Sequence, residues 1–577
     1  MTGPGRAETE ARRARVAPPV PRAPLIPSVT ERRLDLLFAG CFALYWVVFV
    51  TPVVLDQRHP YDGFRDIASA RHFQLGGGWG DPGYLGETIW YPPLGPLIVA
   101  GLSSLLGVTI EGLYLWSQLL VNWMIPAGLY VVVRLAWGPQ VGITSVVALL
   151  LAMPWWQEYV IMHIASWQAL IGAWAFLLVY ALAERRESVL LSGLCGAWLG
   201  MSVLFHPLVP AILAAMILAR TAWDAAALTR AGTLDRAQRL LMRGGLLVVL
   251  AGLIGWPLLQ LFQHGPILNR LPREFIDSKM ATLHWAAIDA NPWIWGVGLA
   301  GLVSVMRRAS LAQRLLLCGL ALTIAGQAPA YLRRFGPGWC QELPVLLPHQ
   351  FQMHFQLLWA ICVGLGVAAL LAWLAARVAA LRDRPALRGA AYAVCLALTG
   401  LWGLLHAREH YSHMPTPEGY YPGHARAAAE WIRANTRRDD VFMLDLHLAY
   451  CWLHPSTARK VVLLPLGHSN PRVDWVERYN IAAALTNAED AQTFNQIARA
   501  AGVQYCVFTW GIDEQGRAVF DPASDWMPVF ALAEARALAD ERYLVREYVE
   551  PQGMMIVRIV DPPAPDALPA PTQGASE

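Results

Sequence analysis

Lysine is almost missing from this chain: Lys279 and Lys460 are the only lysines among 45 basic residues. Arginine therefore supplies nearly every positive charge, either through a GC-rich coding bias or through a preference for bidentate phosphate contacts. The net charge is only +3, and the arginines fall in clusters between apolar runs. Without one basic face, nucleic acid is excluded as a partner. The eight cysteines include no CxxC pair and no metal-ligand spacing. Most lie inside apolar runs, where a thiol behaves as a small hydrophobe, and Cys451 with Cys506 is the one pair left open for a disulfide. No repeat of fixed period is visible.

What the chain has instead is apolar length. Of its 577 residues, 56% are hydrophobic and 15% charged. Several runs approach the roughly 20 residues that cross a bilayer, which makes this a polytopic α-helical membrane protein. Reading the runs against the positive-inside rule predicts about eleven spans, near 34–54, 112–136, 140–157, 166–183, 189–206, 207–221, 243–263, 293–306, 312–331, 351–376 and 387–405. The Arg-rich N-terminal tail, Arg134, Arg185 with Arg186, the segment 220–243, Arg307 with Arg308, and 377–388 then all lie in the cytoplasm. Two conditions make this consistent. Residues 92–110 are a juxtamembrane or re-entrant element, and the His206-Pro207 break separates two crossings.

The remaining polar mass falls outside the cytoplasm: the loop 55–91, the segment Trp155–His163, the loops 264–292 and 331–350, and everything after 407. Residues 1–33, rich in Arg, Pro and Ala, read as a disordered cytoplasmic tail, and 561–577 as a second disordered tail. Between 407 and 560 helical patterns (HARAAAEWIRANT, AEDAQTFNQIARAAG) alternate with strand-like runs (VFMLDL, KVVLLPL, VQYCVFTW). That alternation predicts an extracytoplasmic α/β domain.

The richest stretch is the first outer loop with its juxtamembrane elements, 55–111. It opens on YDGFRDIASARHF and closes on ETIWYPPLGP. If 62–73 is helical, Asp62, Arg65, Asp66 and Ser69 share a face. Two carboxylates four apart raise one another's pKa while Arg65 between them lowers it, so spacing alone leaves the base strength undetermined. One acid capping a juxtamembrane helix is the bland alternative.

An acid just after the first span, Ala70-Arg71 eight and nine residues on, a Gly-rich break and then Tyr91-Pro92-Pro93-Leu94 resembles the first outer loop of GT-C glycosyltransferases. Bacterial aminoarabinose transferases and protein O-mannosyltransferases are such enzymes. The sequence departs from their pattern twice: Gly63 stands where the second acid of an Asp-Glu pair is usual, and Tyr91 where many relatives carry Lys or His.

The resemblance implies a GT-C-like transmembrane domain over 34–406 in a bacterial inner membrane. It also implies sugar transfer from a polyprenyl phosphate to a lipid, glycan or protein acceptor, usually with inversion. Asp62 becomes the general base, with Asp66 beside it. Arg71, Arg333, Arg334, His349 and His206 become candidates for the donor phosphate, with Arg270, Arg273 and Lys279 in the second large loop. Tyr91, Glu87, His468, Asp474 and Arg478 become candidates for acceptor or sugar. No metal ligands are assigned, and a divalent cation stays open because relatives differ in metal use.

Each candidate has a structural counterpart. His206 fits a core histidine at a helix break, Arg333 and Arg334 fit interfacial snorkelling, and Trp90, Tyr91, Trp155 and Trp156 fit an aromatic belt. Glu158 and His163 lie close together, but one of each makes no metal site. The loop 467–478 could be a solvated loop held by its own Asp-Arg pairs. Two other functions also stay open: a flippase of lipid-linked sugar, and an idle GT-C relative that binds glycan or a partner protein.

Overall fold

A computed structural model describes residues 29–57, 61–153, 156, 165–262, 292–306, 310–342, 348–412, 423–509, 511–512, 518–519, 540–550 and 554–562. An apolar run in a membrane must satisfy its backbone internally, so it folds as helix, and a helix coincides with each of the eleven predicted spans. Seven helices are long and apolar enough to cross: Thr30–Leu55, Ile110–Trp137, Gln168–Arg185, Leu208–Arg230, Leu234–Gln260, Leu311–Arg333 and Gln350–Arg377. Pro139–Ala152, Val189–Ser202, Pro292–Met306 and Pro385–Leu401 are shorter apolar helices at the other four positions. Residues up to Leu44 form a unit of their own, and the rest of the chain, from Tyr45 onward, forms a second unit that holds the first loop, the bundle and the sheet.

The first loop carries two helices, α1 (Tyr61–Gln74) and α2 (Leu94–Leu106). In α1, Asp62 sits in the first turn and Arg71 in the last, each complementing the helix dipole. Its apolar residues Phe64, Ile67, Ala68 and Ala70 are buried. Pro92-Pro93 precedes α2, and Gly107 at φ +67° ends it in the left-handed cap that favours glycine. At 13 residues, α2 is only about 20 Å long, too short for a hydrocarbon core of about 30 Å. The predicted break at His206-Pro207 is also present, between α3 (Val189–Ser202) and α4 (Leu208–Arg230).

Glycines let two helices approach at backbone distance. Between α5 (Pro292–Met306) and α6 (Pro348–Arg377), a Cβ on Gly301 would lie 1.9 Å from the Cys362 carbonyl oxygen. One on Gly366 would lie 1.8 Å from that of Val297. Such small-residue contacts are how membrane helices gain van der Waals packing where the hydrophobic effect is absent.

Arg220 and Arg243, at the two ends of the segment read as a cytoplasmic turn, are both buried in ion pairs. Arg220 lies 2.6 Å from Glu184 and 2.6 Å from Asp224, which Arg314 also reaches at 2.6 Å, while Arg243 is 4.0 Å from Glu184. A charge inside a bundle is tolerated when another helix supplies its counter-ion.

In the C-terminal region the five-stranded sheet has the order β2-β1-β3-β7-β6, from β1 (Val441–Met443), β2 (Lys460–Val461), β3 (Tyr505–Thr509), β6 (Leu544–Glu550) and β7 (Met554–Ile559). A two-residue pair, β4 (Gly511–Ile512) with β5 (Ala518–Val519), lies apart from it. β1 runs parallel to β2 and β3, and β7 runs antiparallel to both β3 and β6. Helices α8 (Trp475–Thr486) and α9 (Ala491–Ala500), which come after α7 (Gly423–Asn435), contribute Leu485 and Phe494 to one apolar cluster with Phe508 and Val557. The other cluster joins Ala428 of α7, Phe442, Trp452, Val507 and Ile556 to Phe64 and Tyr84 of the first loop. The first loop is thus part of this domain's core. Cys451 lies in one cluster and Cys506 in the other, and no disulfide joins them.

Candidate active site

Asp62 occupies the exposed end of α1. Its side chain is 34% exposed, and its Oδ1 lies 3.6 Å from Nε2 of His468 in the C-terminal domain. One turn on, the Arg65 guanidinium lies 3.5 Å above the Tyr91 ring. Arg65 Nε donates to Asp66 Oδ1 at 3.1 Å. Its Nη2 is buried without a hydrogen-bond partner. The spacing argument therefore resolves into two different acids. Asp66 is buried and paired, and burial raises its pKa to about 6, against Arg65, which lowers it, and with Asp62, which raises it. The Tyr114 hydroxyl also donates to the Asp66 carbonyl at 3.1 Å. Asp62 remains within reach of solvent.

Tyr91 carries no charge of its own, but its ring holds the Arg65 guanidinium. Cation–π stacking of this kind fixes a guanidinium without neutralising it. His206 is buried at its helix break, where its Nδ1 accepts the Leu208 N–H at 3.3 Å. Burial first, then His354 and Arg65, push its pKa down to about 3. The imidazole is thus neutral at physiological pH.

The Gly-rich break after α1 is a docking element. Asp81 Oδ1 accepts from the backbone of Gly83 and Tyr84 at 2.7 and 2.9 Å, and Oδ2 accepts from Asn470 at 2.8 Å. Lys460 donates to the carbonyls of Asp81 and Pro82. The Tyr84 hydroxyl pairs with Ser469 at 2.7 Å. Arg472 donates to Thr88 Oγ1 and to the Phe262 carbonyl, each at 2.8 Å. The loop 467–478 is therefore not a plain solvated loop, since His468, Ser469, Asn470 and Arg472 all reach the first loop and Arg472 also reaches the end of the helix Leu234–Gln260. Its last residues are helical: Asp474 is exposed and caps α8 by accepting from Val476 and Glu477. Arg478 donates to the Val462 carbonyl and lies 4.6 Å from the Tyr84 ring centre. Glu87 is half-buried near Arg472, and its carbonyl accepts the Asp81 N–H at 2.7 Å.

Arg71 pairs with Glu111 and donates to the Pro455 carbonyl at 2.6 Å, tying α1 to the C-terminal domain. Arg333 is half-buried near the end of Leu311–Phe335. The side chains of Arg334 and His349 lie outside the described residues, as do Trp155, Glu158, His163, Arg270, Arg273 and Lys279.

A cavity of about 10 Å³ lies between Arg65, Tyr91, Tyr450, His454 and His468. This is room for about one water and none for a sugar. Among the described residues no three His, Cys, Asp or Glu side chains are placed to hold a metal. Asp66 is taken by Arg65, and no step is assigned to a divalent cation. Tyr450, which lines this cavity, and His354, which lies near His206, had not been singled out from the sequence. Only the polar run HQFQMHFQ at the head of an apolar span signalled the second.

The sequence matches no family model and no curated protein. Solved structures do match in fold. An apo oligosaccharyltransferase of Archaeoglobus fulgidus superposes with a TM-score of 0.54 at 13% identity, over 84% of this chain and 70% of that one. ArnT from Cupriavidus metallidurans, bound to undecaprenyl phosphate, gives 0.51 at 14% identity, over 92% and 98%. AglB from A. fulgidus, in complex with an inhibitory peptide and a dolichol-phosphate, gives 0.50 at 13% identity, over 82% and 69%. At such identities the likeness is one of fold alone.

Proposed function

We propose that this chain, with its GT-C fold, is a membrane glycosyltransferase that moves a monosaccharide from a polyprenyl-phosphate donor to an acceptor outside the cytoplasm. The observation that carries the reading is the pairing on one helix face of the solvent-reachable carboxylate Asp62 with the buried, stacked guanidinium of Arg65, whose Nη2 has no partner. Structures of this fold bound to undecaprenyl phosphate and to dolichol-phosphate support the donor class.

The chemistry needs two groups. Asp62 takes the proton from the acceptor hydroxyl as its oxygen bonds to the anomeric carbon. The bond from that carbon to the phosphate oxygen breaks, its electron pair leaves on the phosphate, and Arg65 stabilises the charge that grows there. Attack opposite the leaving group inverts the sugar. Because the cavity holds only about one water, the bound state requires the first loop or the C-terminal domain to move aside. The C-terminal domain and the first loop lie outside the cytoplasm on the inner membrane of a bacterium.

The test is release of free polyprenyl phosphate from a panel of polyprenyl-phosphate monosaccharides, with membrane extract supplying acceptors. Wild type should cleave one donor and Asp62→Asn none. Equal cleavage by both proteins removes Asp62 from the mechanism, and no cleavage by either favours transport or binding of a lipid-linked sugar.

A further inference from the structure

The C-terminal domain places an imidazole at the carboxylate proposed as base, and that imidazole is held more firmly than docking requires. The ring of His468 stacks on Tyr450 with centroids 4.5 Å apart and planes 29° apart. Its Nδ1 lies 3.0 Å from the Tyr450 hydroxyl. Tyr450 is itself buried, in the π-helical turn Ala449–Leu453, an irregularity often found at functional sites. The residues after His468 are fixed as well, Ser469 to Tyr84 and Asn470 to Asp81. The other nitrogen, Nε2, points at Asp62 Oδ1 across 3.6 Å. That gap is longer than a hydrogen bond, as is common for catalytic contacts that tighten when substrate arrives.

We propose that His468 is a positioning residue for Asp62, supplied by the C-terminal domain to complete the site; this rests on the proposed role of Asp62 as base. With the Tyr450 hydroxyl donating to Nδ1, the proton of the neutral ring sits on Nε2 and faces the carboxylate. A donor on Oδ1 fixes the plane of the carboxylate and leaves Oδ2 for the acceptor hydroxyl. It also stabilises the ionised form, so Asp62 stays deprotonated to lower pH than it would without the imidazole.

The groups that set this balance come from every element around the pair. On α1 they are Asp62, Arg65 and Asp66, in the first loop Tyr91, and in the C-terminal domain Tyr450 and His454. Arg65 acts in the same direction as His468, and Asp66 opposes both when ionised. His468 differs from these neighbours in belonging to a part of the chain about 400 residues away from Asp62.

The experiment compares wild type with His468→Ala, His468→Gln, Tyr450→Phe and Asp62→Asn in nanodiscs, reading donor cleavage against pH. His468→Ala should lower kcat roughly tenfold to a hundredfold with the donor KM within about twofold. It should also move the acid limb of kcat/KM upward by about half to one pH unit. His468→Gln, whose amide nitrogen overlays Nε2, should recover part of the rate. Tyr450→Phe should move the same limb by less.

A His468→Ala enzyme with the wild-type kcat and acid limb overturns the proposal, as does a loss confined to donor KM. The pH titration of the His468 imidazole, followed by NMR and assigned by its absence in His468→Ala, gives a second reading independent of turnover. Its midpoint should fall when Asp62 becomes Asn, and an unchanged midpoint overturns the contact. A wild type that cleaves no donor removes the transferase reading instead, and with it any role for His468 in catalysis.

Discussion

The join between the first loop and the C-terminal domain should be acid-labile, because two of its buried histidines are held neutral. His72 at the end of α1 is buried beside Lys460 and Arg438. Burial first, then those two cations, push its pKa down to about 4. His454 is buried from the other side of the join, and burial, Lys460 and His72 take it down to about 3. Arg438 reinforces the contact by donating to the carbonyls of Leu75 and His72 at 2.6 and 3.0 Å.

The sign comes from proton uptake. A histidine exposed by opening titrates near 6.5, so below that pH the open state binds protons that the closed state refuses. Stability is therefore full above pH 6.5 and is lost progressively as pH falls toward 4. At pH 5 each histidine costs the closed state about 2 kcal/mol, and the pair about 4 kcal/mol, roughly a thousandfold in the opening equilibrium.

The assay is hydrogen exchange in the segments 72–84 and 454–464, corrected for intrinsic chemistry and compared between pH 7.5 and 5. His72→Gln should remove about half of the pH dependence. Opening that is equally rare at both values, or a dependence untouched by His72→Gln and His454→Gln, would show that the buried imidazoles do not couple the join to pH.

Three other perturbations have expected results. Arg220→Ala leaves Asp224 to Arg314 and Glu184 with only the longer contact to Arg243, and thermal unfolding in detergent should show a loss of up to about 3–5 kcal/mol. Gly366→Ala pushes a Cβ toward the Val297 carbonyl, so α5 must move away from α6; the yield of monodisperse protein should fall, at a cost of about 1–3 kcal/mol or more. Arg65→Lys keeps a charge but loses the planar stack on Tyr91, and donor cleavage should drop roughly tenfold to a hundredfold while the fold, read by circular dichroism, is retained.

Much of the bundle was legible because apolar length is a dominant signal in a membrane. The element at 92–110, expected as juxtamembrane or re-entrant, contains a helix of 13 residues too short to cross. The common face of Asp62, Arg65, Asp66 and Ser69 was likewise readable from helical spacing. What spacing could not show is how the face divides. Whether Asp66 pairs with Arg65, and whether Arg71 meets Glu111, depends on which elements pack against α1. The short strand β2 escaped as well, since KVVLLPL suggests seven extended residues where only Lys460–Val461 pair. The remainder leaves the ladder to reach Tyr84, whose hydroxyl accepts the Leu464 N–H at 3.0 Å. The start of α8 at Trp475 was hidden inside a stretch that read as one loop, although Asp474 with Glu477 at the third position after it is a helix-start pattern.

The sharing of Phe64 and Tyr84 with the core of the C-terminal domain has a consequence for biogenesis. The hydroxyl of Tyr84 meets Ser469 across 385 residues of sequence, so the two halves of one hydrophobic core leave the ribosome far apart in time. Contacts of such long range form last. During synthesis the first loop must wait with Phe64 and Tyr84 uncovered while the intervening helices insert. The C-terminal domain cannot bury its own sheet face until it finds that loop. Only a chain whose bundle has brought the loop to the right place offers the domain a surface on which to finish folding, so maturation itself checks helix insertion before Asp62 is enclosed.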